Sequence, residues 1–226
     1  MDERYTRNIP SLSASEQAAL AQKRVLLAGC GGLGGYLLEY LARLGVGAVT
    51  VVDGDRFEPS NLNRQLLSSP ALLGSGKAAA AKARAEAVNP GVKVSVCEEF
   101  LTADNASALL HGCDLALDAL DNAASRLVLE DACARAGLPL VHGAVFGWSF
   151  QAAVSMPGSG LLRRLYAGAT ETSTPAGKTT LSFVPACCAA VEAAQAVSLL
   201  VGRGASLEGR LLIADMETTE QEIVTL

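Results

Sequence analysis

An α/β fold on a mostly parallel central sheet, with helices on both faces and an antiparallel extension toward the C-terminus, is the architecture this sequence predicts. Three observations carry it. Short apolar runs bounded by turn residues alternate with helical patterns along most of the 226 residues. The first run, Val25–Ala28, leads straight into Gly29-Cys30-Gly31-Gly32-Leu33-Gly34 and then into a helix. The second, Ala48–Val52, ends on Asp53-Gly54-Asp55. A glycine-rich turn between strand and helix lets a nucleotide approach the backbone, because a Cβ would block it. The helix N-terminus then offers free N–H groups to phosphate or ribose oxygens. An acidic residue at the tip of the second strand is suited to accept hydrogen bonds from ribose hydroxyls. The fold is therefore Rossmann-like, with Gly29, Gly31, Gly32, Gly34 and Asp53 expected at a nucleotide.

The other elements follow in order. Residues 1–24 are expected as a helical arm. Gly76–Val88, rich in Ala and Lys, reads as a helix closed by Asn89-Pro90-Gly91, and Val92–Cys97 alternates as a strand. Asp104–His111 is a short helix. Leu115–Ala119, apolar between Asp114 and Asp121, suits a buried parallel strand. Ala123–Ala136 is helical and stops at Gly137, with Pro139 beyond. Strands are expected at Leu140–His142 and Gln151–Met156. From Pro157 to Thr180 the chain holds Gly, Ser, Thr and Pro with little periodicity and reads as a long mobile loop. A helix at Phe183–Val201 and strands at Leu211–Ala214 and near Gln221–Thr225 complete one domain over residues 1–226.

Composition narrows the function. Half of the residues are apolar and only 4% aromatic, so Ala, Leu and Val must fill the core. A net charge of −5 argues against nonspecific nucleic-acid binding. Met1–Arg7 is charged and has no apolar stretch, and Phe183–Val201 is interrupted by Pro185, Glu192 and Gln195. A cytoplasmic protein without membrane association is expected. The six cysteines include no Cys-x-x-Cys pair, so no structural zinc is expected.

Six motifs occur in a fixed order: Arg4-Tyr5-Thr6-Arg7-Asn8, Gly29–Gly34, Asp53-Gly54-Asp55, Ser60-Asn61-Leu62-Asn63-Arg64-Gln65, Gly76-Lys77 and Asp118-Ala119-Leu120-Asp121-Asn122. Together they resemble the ThiF/MoeB/HesA family, bacterial relatives of ubiquitin-activating enzymes, over nearly the whole chain. The resemblance implies an enzyme that uses ATP and Mg²⁺ to adenylate the C-terminal glycine carboxylate of a ubiquitin-like sulfur carrier of ThiS or MoaD type, in thiamine, molybdopterin or tungstopterin synthesis. It also implies a homodimer in which the second arginine of the first motif, here Arg7, enters the partner's site.

The residues suit such a reaction. A carboxylate attacking an α-phosphate brings two anions together, so catalysis rests on positioning and on cations. Arg64 can grip phosphate bidentately, and Lys77 can act as a point charge. Lys77 opens a helix against its dipole, which argues for a phosphate-facing role. Asp121, beyond the Leu115–Ala119 strand, is the expected Mg²⁺ ligand, preferred over Asp118. Asn61, Asn63 and Asn122 are expected to bind nucleotide, and Asp55 either does so or caps a turn. Arg126 is read as pairing with Asp121 or with nucleotide. His142 reads as a satisfied structural histidine and Trp148 as a core residue. Gly177-Lys178-Thr179 is no phosphate loop, since Thr172 stands where its first glycine belongs.

Two departures from the family pattern stand out. Both zinc-binding Cys-x-x-Cys pairs of many members are missing. The loop before the late helix carries no cysteine, while Cys187 and Cys188 open that helix, where a thiolate would be favoured. Adenylation alone is therefore expected, with sulfur delivered by another protein. The competing readings are activation of another carboxylate, as in tRNA threonylcarbamoyladenosine dehydratases, an NAD-dependent oxidoreductase, and an inactive dimeric scaffold.

Overall fold

The computed structural model describes residues 2–167 and 179–226. Parallel strands β1 (Arg24–Ala28), β2 (Ala48–Val52), β3 (Lys93–Cys97), β4 (Leu115–Asp118) and β5 (Leu140–Phe146) are followed by antiparallel β6 (Ser149–Ser155), β7 (Arg210–Asp215) and β8 (Gln221–Thr225). Their order in the single sheet is β3-β2-β1-β4-β5-β6-β7-β8. The strand order reverses between β1 and β4, and in open α/β sheets ligands bind in the crevice outside such a switch point. The predicted architecture is the observed one.

Side chains alternate across the strands and build two cores. Leu27 and Leu117 face α2 (Gly32–Leu44), α3 (Lys77–Val88) and α7 (Phe183–Leu200). Leu26 and Ala116 face α4 (Ala103–Leu110), α5 (Ala123–Ala136) and α6 (Leu161–Leu165). Helix α7 is apolar and long enough to cross a bilayer, but it packs on β5, β6 and α2 instead. The helix ends have local causes. Asn122 accepts from Ser125 N at 2.9 Å and caps α5, which closes on Gly137 at φ 70°.

The arm consists of a 3₁₀ turn (Glu3–Asn8) and α1 (Ala14–Leu20), and it docks on the C-terminal end of α2. Asn89 donates to Tyr5 Oη at 2.8 Å and to the Ala42 carbonyl at 2.7 Å. Gln17 bridges Asn8 and the Leu44 carbonyl, at 2.7 and 2.8 Å.

Two spans differ from expectation. Strand β5 runs to Phe146 rather than His142, because a tight hairpin at Gly147-Trp148 carries the pairing on to Ser149. Within Pro157–Thr180, read as loop, the chain forms α6. Buried Glu130 of α5 caps it, accepting from Leu162 N (2.7 Å), Arg163 N (3.0 Å) and Ser155 Oγ (2.6 Å). The rest of that loop, residues 168–178 with Gly177 and Lys178, lies outside the described residues.

Candidate functional site

The glycine loop sits at the C-terminal end of β1, and its glycines serve two purposes. Gly29, at φ 97°, lies so close to β4 that a Cβ would stand 2.5 Å from the Ala119 carbonyl oxygen; at Gly34 a Cβ would meet the Gly29 carbonyl oxygen at 1.9 Å. These two close the turn. Gly31 and Gly32 have no such neighbour: a Cβ would find nothing nearer than Gln65 Nε2 at 3.7 Å and Arg64 Cγ at 3.6 Å. Gly31 caps α2 without any side-chain hydrogen bond, so the cap residue itself satisfies none of the first N–H groups of the helix. The side-chain Oε1 of Gln65, buried beside Gly31, has no partner. Backbone without side chains at Gly31 and Gly32, a helix start without a side-chain cap and an orphaned acceptor together suit a nucleotide.

At the tip of β2, Asp53 binds the chain itself. Its carboxylate accepts from Cys30 N at 2.6 Å and from Asp55 N at 2.8 Å, tying the glycine loop to this strand. Burial pushes the Asp53 carboxyl above the ordinary range, against the pull of both N–H groups and of Lys77. Lys77 Nζ lies 2.9 Å from Asp55 Oδ2, with only 8% of its side chain exposed, and Lys77 N donates to the Asp55 carbonyl. Asp55 is thus more than a turn cap: it holds the ammonium at the mouth of the site.

The Ser60–Gln65 segment lies against the loop. Arg64 donates to the Ser60 carbonyl at 2.8 Å and to Asn63 Oδ1 at 3.0 Å, while its stem borders Gly32. Asn63 Nδ2 reaches the Thr180 carbonyl at 3.4 Å. Asn61 differs from expectation. It is buried and its Oδ1 caps Glu58 N at 3.0 Å, so it shapes the segment rather than facing the cradle. Asn122 likewise is spent on capping α5 and on a 3.1 Å bond to Asp121 Oδ1.

Asp121 is exposed beyond β4, at the rim of the crevice. Asp118 is fully buried and accepts from Leu120 N at 3.0 Å and His142 Nδ1 at 2.7 Å, which excludes it as an open metal ligand. Arg126 is a correction. It is buried and pairs with Asp118 at 3.5 Å, not with Asp121, and it donates to the Leu120 carbonyl (2.7 Å) and Tyr166 Oη (2.8 Å). His142 is fully buried and satisfied. Burial lowers its pKa despite Asp118 and keeps it neutral.

Trp148 is the second correction. It is 41% exposed at the β5–β6 hairpin, and its ring tilts against Phe183, also 40% exposed, with centroids 5.3 Å apart. With Asn63, Gly147 and Thr179–Leu181 it lines an open cleft of about 440 Å³. Asn63, which lines this cleft, accepts from Arg64, whose stem borders Gly32. Cys188, where a thiolate was conceivable, is buried beside Glu192, and burial pushes its thiol well above the ordinary range. Arg7 is not near this assembly. It is exposed, and its neighbours Tyr5 and Asn8 are tied to the C-terminal end of α2, whereas the glycine loop is at the N-terminal end. Thirteen residues of helix separate the two ends, about 20 Å.

The sequence reading missed Gln65 as a liner, although it closes the Ser60–Gln65 motif, and missed Tyr166, which no pattern marked.

The model of the ThiF family matches residues 5–226. The SAMP-activating enzyme E1 of Haloferax volcanii is 37% identical over 218 residues, covering 94% of this chain and 81% of that protein. The sulfur carrier protein adenylyltransferase of Thermus thermophilus is 37% identical over 226 residues, covering 94% of this chain and 83% of its own. The chain spans only 59% of a longer relative, the probable adenylyltransferase/sulfurtransferase MoeZ of Mycobacterium tuberculosis, at 36% identity. Among solved structures, E. coli MccB with MccA superposes over 100% of this chain and 71% of its own with a TM-score of 0.86; at 19% identity this is a likeness of fold.

Proposed function

The chain belongs to the ThiF family, and from that premise we propose that it is an ATP-dependent adenylyltransferase for the C-terminal glycine carboxylate of a ubiquitin-like sulfur carrier. The carboxylate attacks the α-phosphate, an acyl-adenylate forms and pyrophosphate leaves. The observation that carries this reading is the helix N-terminus at Gly31 and Gly32, uncapped by any side chain and bordered by Arg64 and by the orphaned Gln65 acceptor. The name of the Thermus relative, a sulfur carrier protein adenylyltransferase, supports the same substrate class.

In this reading the N–H groups of α2 take phosphate oxygens. Arg64 and Lys77 give up their partners within the chain for the triphosphate and stabilise its charge. Among the described residues no three His, Cys, Asp or Glu side chains come together to hold a metal. Asp121, exposed at the rim of the crevice, would hold a Mg²⁺ bound with ATP, which would offset the triphosphate's negative charge. The carrier's extended tail enters by the Trp148–Phe183 cleft, where exposed aromatic surface awaits an apolar peptide.

The functional unit is a homodimer, and Arg7 acts on the partner's triphosphate. The distance of its own anchor points from the glycine loop supports action in trans.

The test is Mg²⁺-dependent ATP–pyrophosphate exchange with purified ThiS- and MoaD-type carriers ending in Gly-Gly. Exchange should require one carrier, vanish when its last glycine is removed, and be lost in Asp121→Ala. Measurable ATP binding without exchange for any carrier would overturn the carrier as substrate and point to another carboxylate.

A further inference from the structure

A second polar assembly lies under the site, on the α5 face of the sheet, where Leu26 and Ala116 would lead one to expect apolar packing. Asp118 and His142 are completely buried and Arg126 nearly so. Gln151 and Tyr166 complete the group. Most of its donors and acceptors pair within the group; Arg126 Nε has no hydrogen-bond partner and lies 3.5 Å from Asp118 Oδ2, and Gln151 Nε2 also lies 3.2 Å from His142 Nε2. Tyr166 Oη accepts from Arg126 Nη1 (2.8 Å) and Gln151 Nε2 (3.1 Å), so its own proton goes to His142 Nε2 (3.2 Å). His142 then carries its proton on Nδ1 and donates to Asp118 Oδ2 (2.7 Å). Asp118 keeps Oδ1 for Leu120 N.

Burying an acid, a histidine and a guanidinium costs free energy that apolar residues would not. What this assembly accomplishes is local. The Leu120 N–H is held by Asp118 and the Leu120 carbonyl by Arg126, so one residue is gripped at both ends by a buried charge pair. Ala119 N is fixed to the Ala28 carbonyl at 2.9 Å, and the Ala119 carbonyl lies against Gly29. Asn122, on the other side, is locked by its cap on α5. Asp121 is the residue between these fixed points.

We propose that Asp118 and Arg126 are positioning residues: with Tyr166 and His142 behind them, they clamp Leu120 so that the Asp121 carboxylate is held ready at the rim of the crevice. The proposal rests on Asp121 acting at the triphosphate, as in the adenylation reading, but half of its test does not.

The variants are Arg126→Gln, which releases the Leu120 carbonyl, and Tyr166→Phe, which removes only the hydroxyl behind Arg126. In native-state amide exchange, Arg126→Gln should speed exchange of residues 119–122 about tenfold or more while β1 and β2 amides keep wild-type protection. In ATP–pyrophosphate exchange, kcat should fall about tenfold or more while KM for ATP stays within about twofold, the pattern of an interaction lost in the transition state. Tyr166→Phe should show both effects in the same direction and smaller, which keeps the test open should Arg126→Gln fail to fold. Unchanged exchange at 119–122, or exchange that rises equally across the sheet, would overturn the clamp. So would a rise in KM at unchanged kcat. A wild-type protein inactive with every carrier would sink the adenylation reading and leave amide exchange to judge the clamp.

Discussion

Four glycines in six positions do different work, and the difference can be measured. A methyl at Gly34 would overlap the Gly29 carbonyl, backbone against backbone, and neither can yield without opening the turn. A methyl at Gly32 meets only ordinary contacts, in the first turn of a helix. Gly34→Ala is expected to lower Tm by roughly 10 °C or more, as several kcal/mol of clash would in a domain of this size. Gly32→Ala should leave Tm unchanged or raise it slightly, since Ala is the better helix former by about 1 kcal/mol. It should nevertheless weaken ATP binding about tenfold or more by filling the space that the phosphates approach. Thermal melts paired with nucleotide titration separate the two. If Gly32→Ala bound ATP as tightly as wild type, the nucleotide would not lie over this turn.

Helix α7 meets β5 through an unusual contact. Glu192 is fully buried against Gly143, where any Cβ would fall 2.3 Å from its Oε2, and its Oε1 has no partner. Burial, reinforced by Asp118 and opposed by Arg126, holds its carboxyl well above the ordinary range and neutral in the fold. The sign follows by linkage. The unfolded chain ionises Glu192 above its ordinary value of 4.5 and the folded chain does not, so stability is full below that pH and is lost as pH rises toward the folded value. Glu192→Met keeps the volume and removes the proton. It should raise Tm by roughly 2–4 °C at pH 8, the response to about 1 kcal/mol, and by much less at pH 4.5. An equal gain at both pH values would show that Glu192 is charged in the fold. This contact also marks the limit of what could be read in advance. The strand–Gly29–Gly34–helix turn and the Asp53 tip were legible because a tight turn at a strand end imposes residue type and spacing on a contiguous stretch. Strand β4 and helix α5 were legible because burial imposes periodicity. The Asp118–His142 and Arg126–Tyr166 bonds join residues 24 and 40 positions apart and exist only through tertiary structure, the first through the β4–β5 register and the second through the placement of α6 beside α5, which no local pattern encodes. Helix α6 has five residues, too few for a period, and its cap comes from another helix. Trp148 was misread because a lone aromatic carries no period, and the hairpin that exposes it depends on pairing across β5 and β6.

The whole assembly raises the question of how many chains make one site. Glycine loop, Arg64, Lys77 and Asp121 gather at one end of the parallel strands, while the arm that carries Arg7 is fastened to the opposite end of α2 by Tyr5, Asn8 and Gln17. An arginine side chain cannot span the ~20 Å between those ends, so service at a triphosphate requires a second copy. Complementation decides this without a structure of the dimer. Arg7→Ala and Asp121→Ala should each be inactive alone. When the two are mixed and allowed to exchange subunits, half of the dimers are mixed. Each mixed dimer has one site with the intact Asp121 of one chain and the intact Arg7 of the other. Its second site lacks both. Activity should therefore return to roughly a quarter of wild type, as two-fold symmetry requires. Were Arg7 to act within its own chain, every site in the mixture would lack one group or the other, and no activity would return however completely the subunits exchanged.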